Sequence, residues 1–228
     1  MYRNILIILV GVALFLPSCI VEGTYTGEIT PPPLPQYEMV LTMQGSGEKT
    51  ISMAGTGEVS IDWGDGSVVS KQTLTATPRE FKHTYSGAAA TRSIKINGEN
   101  ITSLNCRRSE LISIDISKNN KLEILNCSFN KLTSLDVENN NALKEFSCNN
   151  NELKSLKMSN NNTVLHFIDI STNNLNAGDL NTFFGLLHNT VITGKIIYIA
   201  ANDGTVASNK NIAIANGWEV NDERVLVW

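Results

Sequence analysis

Cys106, Cys127 and Cys148 stand 21 residues apart, and thiols in so regular a series could bind a metal, pair as disulfides or attack an electrophile. A zinc site needs ligands that converge on one point, whereas a strict period sets residues in a straight column. A disulfide prefers Cβ atoms about 3.8 Å apart, closer than the roughly 4.8 Å between stacked strands. An inward column of free thiols behaving as small apolar groups fits the spacing better. The three histidines, His83, His166 and His188, have no triad order, zinc spacing, phosphate loop or nucleotide fingerprint around them. His83 alternates in phase with Phe81 and Tyr85, the position of a satisfied core residue. Asp62 and Asp65 supply two carboxylates, short of the about six to eight oxygens that calcium takes, and suit turn chemistry instead. Asp115 and Asp136 recur with the cysteine period and read as part of a solvated face. These residues predict no catalytic centre, no metal and no cofactor. The chemistry left is recognition.

The 228 residues are 42% hydrophobic and 18% charged, a globular composition. With a net charge of −4 and no basic run, nothing draws the chain to nucleic acid or to an anionic membrane surface. At the start, Arg3 precedes an apolar run from Ile5 to Leu16, too short for the about 20 residues of a membrane span and typical of an export signal. The run ends in Leu16-Pro17-Ser18-Cys19, which resembles a bacterial lipobox. The resemblance implies a lipoprotein signal peptide over residues 1–18 and acylation of Cys19, giving a membrane contact through the lipid anchor only. Residues 19–36 contain Pro31, Pro32, Pro33 and Pro35 and form a stiff spacer. The expected location is the cell envelope, lipid-anchored to the outer membrane. Surface display is an inference, since only Glu22 follows the anchor in place of an acidic sorting run.

Alternation with period two fills residues 37–98. Tyr37, Met39, Leu41 and Met43 share one face; Ile51 and Met53, then Val59, Ile61 and Trp63, then Phe81 and Tyr85, then Ile94 and Ile96 continue the pattern. Gly45-Ser46-Gly47, Gly55-Thr56-Gly57 and Gly64-Asp65-Gly66 fall between the runs as turns. Short alternating strands separated by glycine turns predict an antiparallel sandwich. Trp63-Gly64-Asp65-Gly66 followed by His83-Thr84-Tyr85 resembles the polycystic-kidney-disease (PKD) type of immunoglobulin-like domain.

Residues 99–175 repeat an aliphatic-x-x-aliphatic-x-apolar unit: Ile101/Leu104/Cys106, Leu111/Ile114/Ile116, Leu122/Leu125/Cys127, Leu132/Leu135/Val137, Leu143/Phe146/Cys148, Leu153/Leu156/Met158 and Leu165/Ile168/Ile170. Two half-repeats make a period of 21, and the same phase places Asn119, Asn130, Asn140, Asn151, Asn161 and Asn173 eight residues after a unit's start, with Ser109 in the first unit. Such a chain coils once per period, with a short strand on each of two sides. An Asn at each corner can both donate to and accept from backbone left over by the strands. The pattern resembles the leucine-rich-repeat family, in particular its nested 21-residue bacterial class.

Residues 176–228 must close the open end of the coil. Leu180, Phe183, Phe184 and Leu187 have helical spacing after Asp179, and Lys195 to Ala200 alternates as a strand. Ser208 is placed to cap a short helix through Asn216, stopped by Gly217. The phenylalanine pair and Trp218 form the lid. This tail resembles that of leucine-rich-repeat surface proteins from Gram-negative gut anaerobes. The fold expected is mainly β: a short immunoglobulin/PKD-like sandwich, a leucine-rich-repeat solenoid and a small α/β C-terminal cap.

Outward positions on one side of the coil carry Asn105, Ile124, Asn126, Glu145, Ser147, Phe167 and Asp169. Apolar groups among polar neighbours suit an interface. The other side carries Ser113, Asp115, Ser134, Asp136, Ser155 and Lys157 and suits bare solvent. Phe167 either anchors a partner or lies under the cap. The expected function is adhesion or binding of a protein on a host or neighbouring cell. A glycan-binding accessory of a polysaccharide uptake system and a structural envelope component are the alternatives. A glycan binder should show exposed Trp or Tyr on a flat face, and neither face of the repeat has one.

Overall fold

The structure, a computed structural model, describes residues 39–223. The segments expected to be a signal peptide and a proline-rich linker, with Cys19 and Tyr37, lie outside the described residues. The described chain is mainly β. It opens with β1 (Met39–Gly55), β2 (Gly57–Asp62), β3 (Ser70–Leu74) and β4 (Arg79–Asn97). β1 and β4 pair antiparallel from end to end, with a register shift between Gly45 and Gly47. The sequence suggests a turn at Gly45-Ser46-Gly47. The structure instead runs one strand through it, bent at the bulge, as an irregular register permits. Gly45 leaves room there for the Glu110 carboxylate, which a Cβ would meet at 2.6 Å and which pairs with the buried Lys49 ammonium.

The bend lets β1 serve two sides. Its first half, Val40 to Met43, pairs with β6 (Leu111–Asp115); its second half, Ser52 to Gly55, pairs with β5 (Ile101–Asn105). The alternating residues of both halves, Met39, Leu41, Met43, Ile51 and Met53, are buried in a core that runs without a break through the repeats to Trp218. The strands expected to form a small sandwich are therefore continuous with the coil by hydrogen bonding and by packing. Trp63 and Tyr85 are buried in that core, and the Tyr85 hydroxyl donates to the Trp63 carbonyl at 2.7 Å.

Beyond β6 the coil adds β7 (Ile124–Asn126), β8 (Ser134–Val137), β9 (Glu145–Ser147), β10 (Ser155–Met158) and β11 (Phe167–Asp169). β5, β7, β9 and β11 pair in parallel on one side, and β8 and β10 pair in parallel on the other. Strands of three to five residues suffice because each aliphatic unit contributes only its central residues to the ladder before the chain turns a corner.

At the far end α1 (Ala177–Leu186) packs against β10. Asn176 and Asp179 form a reciprocal capping box at its start, each side chain accepting the other's backbone N–H at 3.1 Å. Phe183 and Phe184 are buried, and Phe183 meets Phe146 edge-on at 6.4 Å. The chain then forms β12 (Ile196–Tyr198), α2 (Asn211–Ala215) and β13 (Glu219–Asn221). Ser208 does not cap α2: its hydroxyl donates to the Thr205 carbonyl, and Lys210 stands at the cap with no side-chain bond. β12 and β13 continue the parallel ladder of β11, so the cap lengthens the repeat sheet as well as covering its end. The buried Lys195 ammonium holds the cap loops together, donating to the carbonyls of His188, Thr190 and Asn216.

Candidate functional site

The corners are built by two columns of buried asparagine. In the first, Asn130, Asn151, Asn173 and Asn202, each Oδ1 accepts the N–H of Leu111, Leu132, Leu153 and Leu175 respectively, a residue of the preceding turn. Each Nδ2 bridges two layers: Asn151 donates to Cys127 O at 3.0 Å and Cys148 O at 2.9 Å, and Asn130 to Cys106 O and Cys127 O. In the second column, Asn119 and Asn140 donate to Ile101 O and Ile116 O. The reading of Asn161 as the next member is wrong. Asn161 is exposed, and its neighbour Asn162 takes the corner, donating to Leu143 O and accepting from Leu165 N–H. The half-repeat from Leu153 to Leu165 is 12 residues long, and the extra residue shifts the corner by one.

The residue before each first-column member, and before Ser109 at the same place in the first unit, has positive φ: Arg108 57°, Phe129 57°, Asn150 53°, Thr172 53° and Ala201 58°. A left-handed residue costs an ordinary side chain about 1–2 kcal/mol. The asparagine bonds on its far side hold the chain in that conformation. The five residue types share no chemistry, so no sequence pattern reveals the column.

Cys106, Cys127 and Cys148 are free and fully buried. Burial first, then neighbouring thiols, pushes Cys106 and Cys148 well above the ordinary thiol range, and burial raises Cys127 to about 12. They are protonated at neutral pH and are poor nucleophiles. Asp62 and Asp65 act in their turn: Asp62 Oδ1 accepts from Gly64 N–H and Asp65 Oδ1 from Ser67 N–H. Asp65 also meets His83 Nε2 at 2.7 Å, while the His83 ring stacks on Trp63 at 5.0 Å. His83 is thus half-buried, tied to the turn rather than enclosed in the core.

The sheet face of β5, β7, β9 and β11 brings the proposed partner-binding residues into two columns. Ile124, Glu145 and Phe167 stand side by side, and Asn105, Asn126, Ser147 and Asp169 form the second column. Ile124 is 42% exposed, and Asn105 and Glu145 are exposed. Part of the second column's recurrence is structural. Asn105, Asn126 and Asp169 each accept the N–H two residues on, closing the turn after their strand. Asp115 and Asp136 do the same on the other side. Burial raises the Asp169 pKa, against hydrogen bonds from Ser171 and Asn149 that lower it.

Phe167 resolves between its two readings in neither simple way. It is half-buried, and the cap supplies a neighbour rather than a cover: Tyr198 of β12 pairs beside Asp169, with its ring 5.8 Å from that of Phe167. Ile196 pairs beside Phe167 in the first column. These two face residues were missed because β12 reads as part of the cap. The signal was present: Ile197, Ile199 and Asn202 keep the unit's offsets of three, five and eight from position 194, where Gly replaces the first aliphatic residue. At the other end β1 continues the face, Ser52 pairing with Asn105. No protein family, curated protein or solved structure matches the chain.

Proposed function

We propose that the chain is a non-catalytic recognition protein of the cell envelope that binds a protein partner through the face of β5, β7, β9, β11 and β12. The observation that carries this is the column Ile124, Glu145, Phe167 and Ile196, flanked by Asn105, Asn126, Ser147 and Asp169. Solvent-facing apolar groups inside a polar border are the arrangement of an interface core within its rim. In this reading the coil is a leucine-rich-repeat solenoid of the nested 21-residue type, and β1 to β4 are a PKD-like immunoglobulin-type unit. The cluster of Trp63, Asp65, His83 and Tyr85 supports the latter. Cys19 carries the lipid, and the proline-rich segment spaces the folded part from the outer membrane. Palmitate incorporation that disappears in Cys19→Ala tests the anchor.

One observation favours glycan binding as a second reading. Tyr198 beside Phe167 gives the face the tyrosine that the repeat alone lacks, and aromatic rings with polar neighbours can hold sugars. Arrays of host proteins and of glycans, probed with wild type, Ile124→Asp and Tyr198→Ala, separate the two. A protein hit lost in Ile124→Asp at unchanged melting temperature supports the first reading. Hits confined to glycans and lost in Tyr198→Ala support the second. A hit indifferent to both changes removes the face from consideration.

A further inference from the structure

Where β1 and β4 cross the end of the sheet face, Thr50, Ser52, Glu80, Asn105, Arg107 and Arg108 line a cleft of about 220 Å³. Two arginines from consecutive positions are among its walls. Arg107 and Arg108 follow β5 directly, and their backbone is fixed: Asn105 Oδ1 accepts from Arg107 N–H at 3.1 Å, and Arg108 N–H donates to Ser128 O at 3.1 Å. Arg108 and Phe129 occupy equivalent corners of adjacent turns, both left-handed. The Phe129 ring therefore lies beside the arginines, 4.3 Å from Arg107 Cζ and 4.8 Å from Arg108 Cζ. Cation–π contact orders the guanidiniums before any ligand arrives.

Among the described residues neither arginine has an ion pair. Glu80, the carboxylate in the cleft, pairs with Lys82 at 3.3 Å. Thr50 and Ser52 add half-buried hydroxyls that no described group engages. Two adjacent unpaired cations repel one another unless an anion joins them, and a planar guanidinium fork matches a carboxylate. In a chain of net charge −4, the pair is a local concentration of positive charge. We infer that the cleft is a carboxylate-binding subsite, and that the partner presents an acidic peptide segment to this end of the face. The inference rests on the reading of the face as a protein-binding surface.

The test is fluorescence anisotropy of labelled hexaglutamate against the full-length protein in mild detergent at low salt, with hexaglutamine and an oligogalacturonate as comparison probes. The expected result is hexaglutamate binding about tenfold or more weaker in R107Q/R108Q and several-fold weaker in F129L, with hexaglutamine silent. K118Q/K131Q removes the same charge from exposed corners elsewhere and should leave binding unchanged. Equal loss in both double variants, or no binding at all, overturns the subsite. Tighter binding of oligogalacturonate than of hexaglutamate overturns the peptide assignment. Arginine-dependent hexaglutamate binding beside array hits indifferent to Ile124→Asp keeps the cleft and discards the wider face. An Ile124→Asp-sensitive array hit that R107Q/R108Q leaves untouched keeps the face and overturns the cleft as part of it.

Discussion

Replacing Asn151 by alanine is the sharpest probe of what holds the coil together. Its Oδ1 is the acceptor for the buried Leu132 N–H at 3.0 Å, and its Nδ2 donates to Cys127 O and Cys148 O. The carbonyls are shared: Cys127 O also receives Asn130 Nδ2, and Cys148 O also receives Asn173 Nδ2. The substitution therefore orphans one N–H outright, costing about 1–3 kcal/mol. It also takes one of two bonds from each carbonyl, at about 0.5 kcal/mol apiece. The sum is roughly 3 kcal/mol, read as the shift of the urea unfolding midpoint. The control must avoid Asn150, whose φ of 53° makes alanine costly there for a separate reason. Exposed Asn161 serves instead, and Asn161→Ala should cost under about 0.5 kcal/mol. Asn151→Asp sharpens the test, since it sets a carboxylate oxygen against two carbonyls. Its folded-state pKa must rise above the unfolded value, so this variant should regain stability as the pH falls from neutral towards 4. Equal midpoints for Asn151→Ala and Asn161→Ala would refute the assignment of the corner to buried asparagine.

Three further outcomes are expected. Thr172→Gly should raise the urea midpoint, because relief of about 1–2 kcal/mol at a φ of 53° exceeds the about 0.5–1 kcal/mol of added chain entropy; Ser171→Gly should lower it. Asp65 is held at about 2 by hydrogen bonds from Ser67 first and His83 next. Its depressed pKa contributes stability above the unfolded carboxylate value near 3.9 that is lost as the pH falls towards 2. Asp65→Asn should therefore flatten the acid limb of a pH-dependent unfolding series. The three buried thiols should resist iodoacetamide at pH 7.5 in the native protein and all label in urea.

The repeat was legible because its code is local. An aliphatic residue at offsets zero and three, an apolar one at five and an asparagine at eight recur within a dozen residues, so the inward columns, the corners and the outward residues follow from one phase. Legibility failed wherever the phase was interrupted. The 12-residue half-repeat moved the corner from Asn161 to Asn162. α1 displaced the unit containing Ile197, Ile199 and Asn202, concealing that Ile196 and Tyr198 belong to the face. Pairing between distant segments left no local mark at all. Nothing around Gly45 to Gly47 announces that the strand will continue through them and be shared between β5 and β6. Arg107, Arg108 and Phe129 become a site only when two turns stack.

The bent β1 makes the two ends of the coil unequal. A stack of repeats normally frays one side and one layer at a time from either terminus, each step breaking only nearest-neighbour contacts. Here the first layer cannot open on one side alone, because the edge of β1 opposite β4 is bonded to β6 along its first half and to β5 along its second. Loosening either bends or strips the whole of β1 from β4. Fluctuations should enter from the β13 end and die out towards β1, so amide exchange should slow progressively from Val220 through Ile197, Ile168 and Phe146 to Leu104. The described body thus behaves as a cantilever clamped at β1, with compliance increasing along the face towards β13.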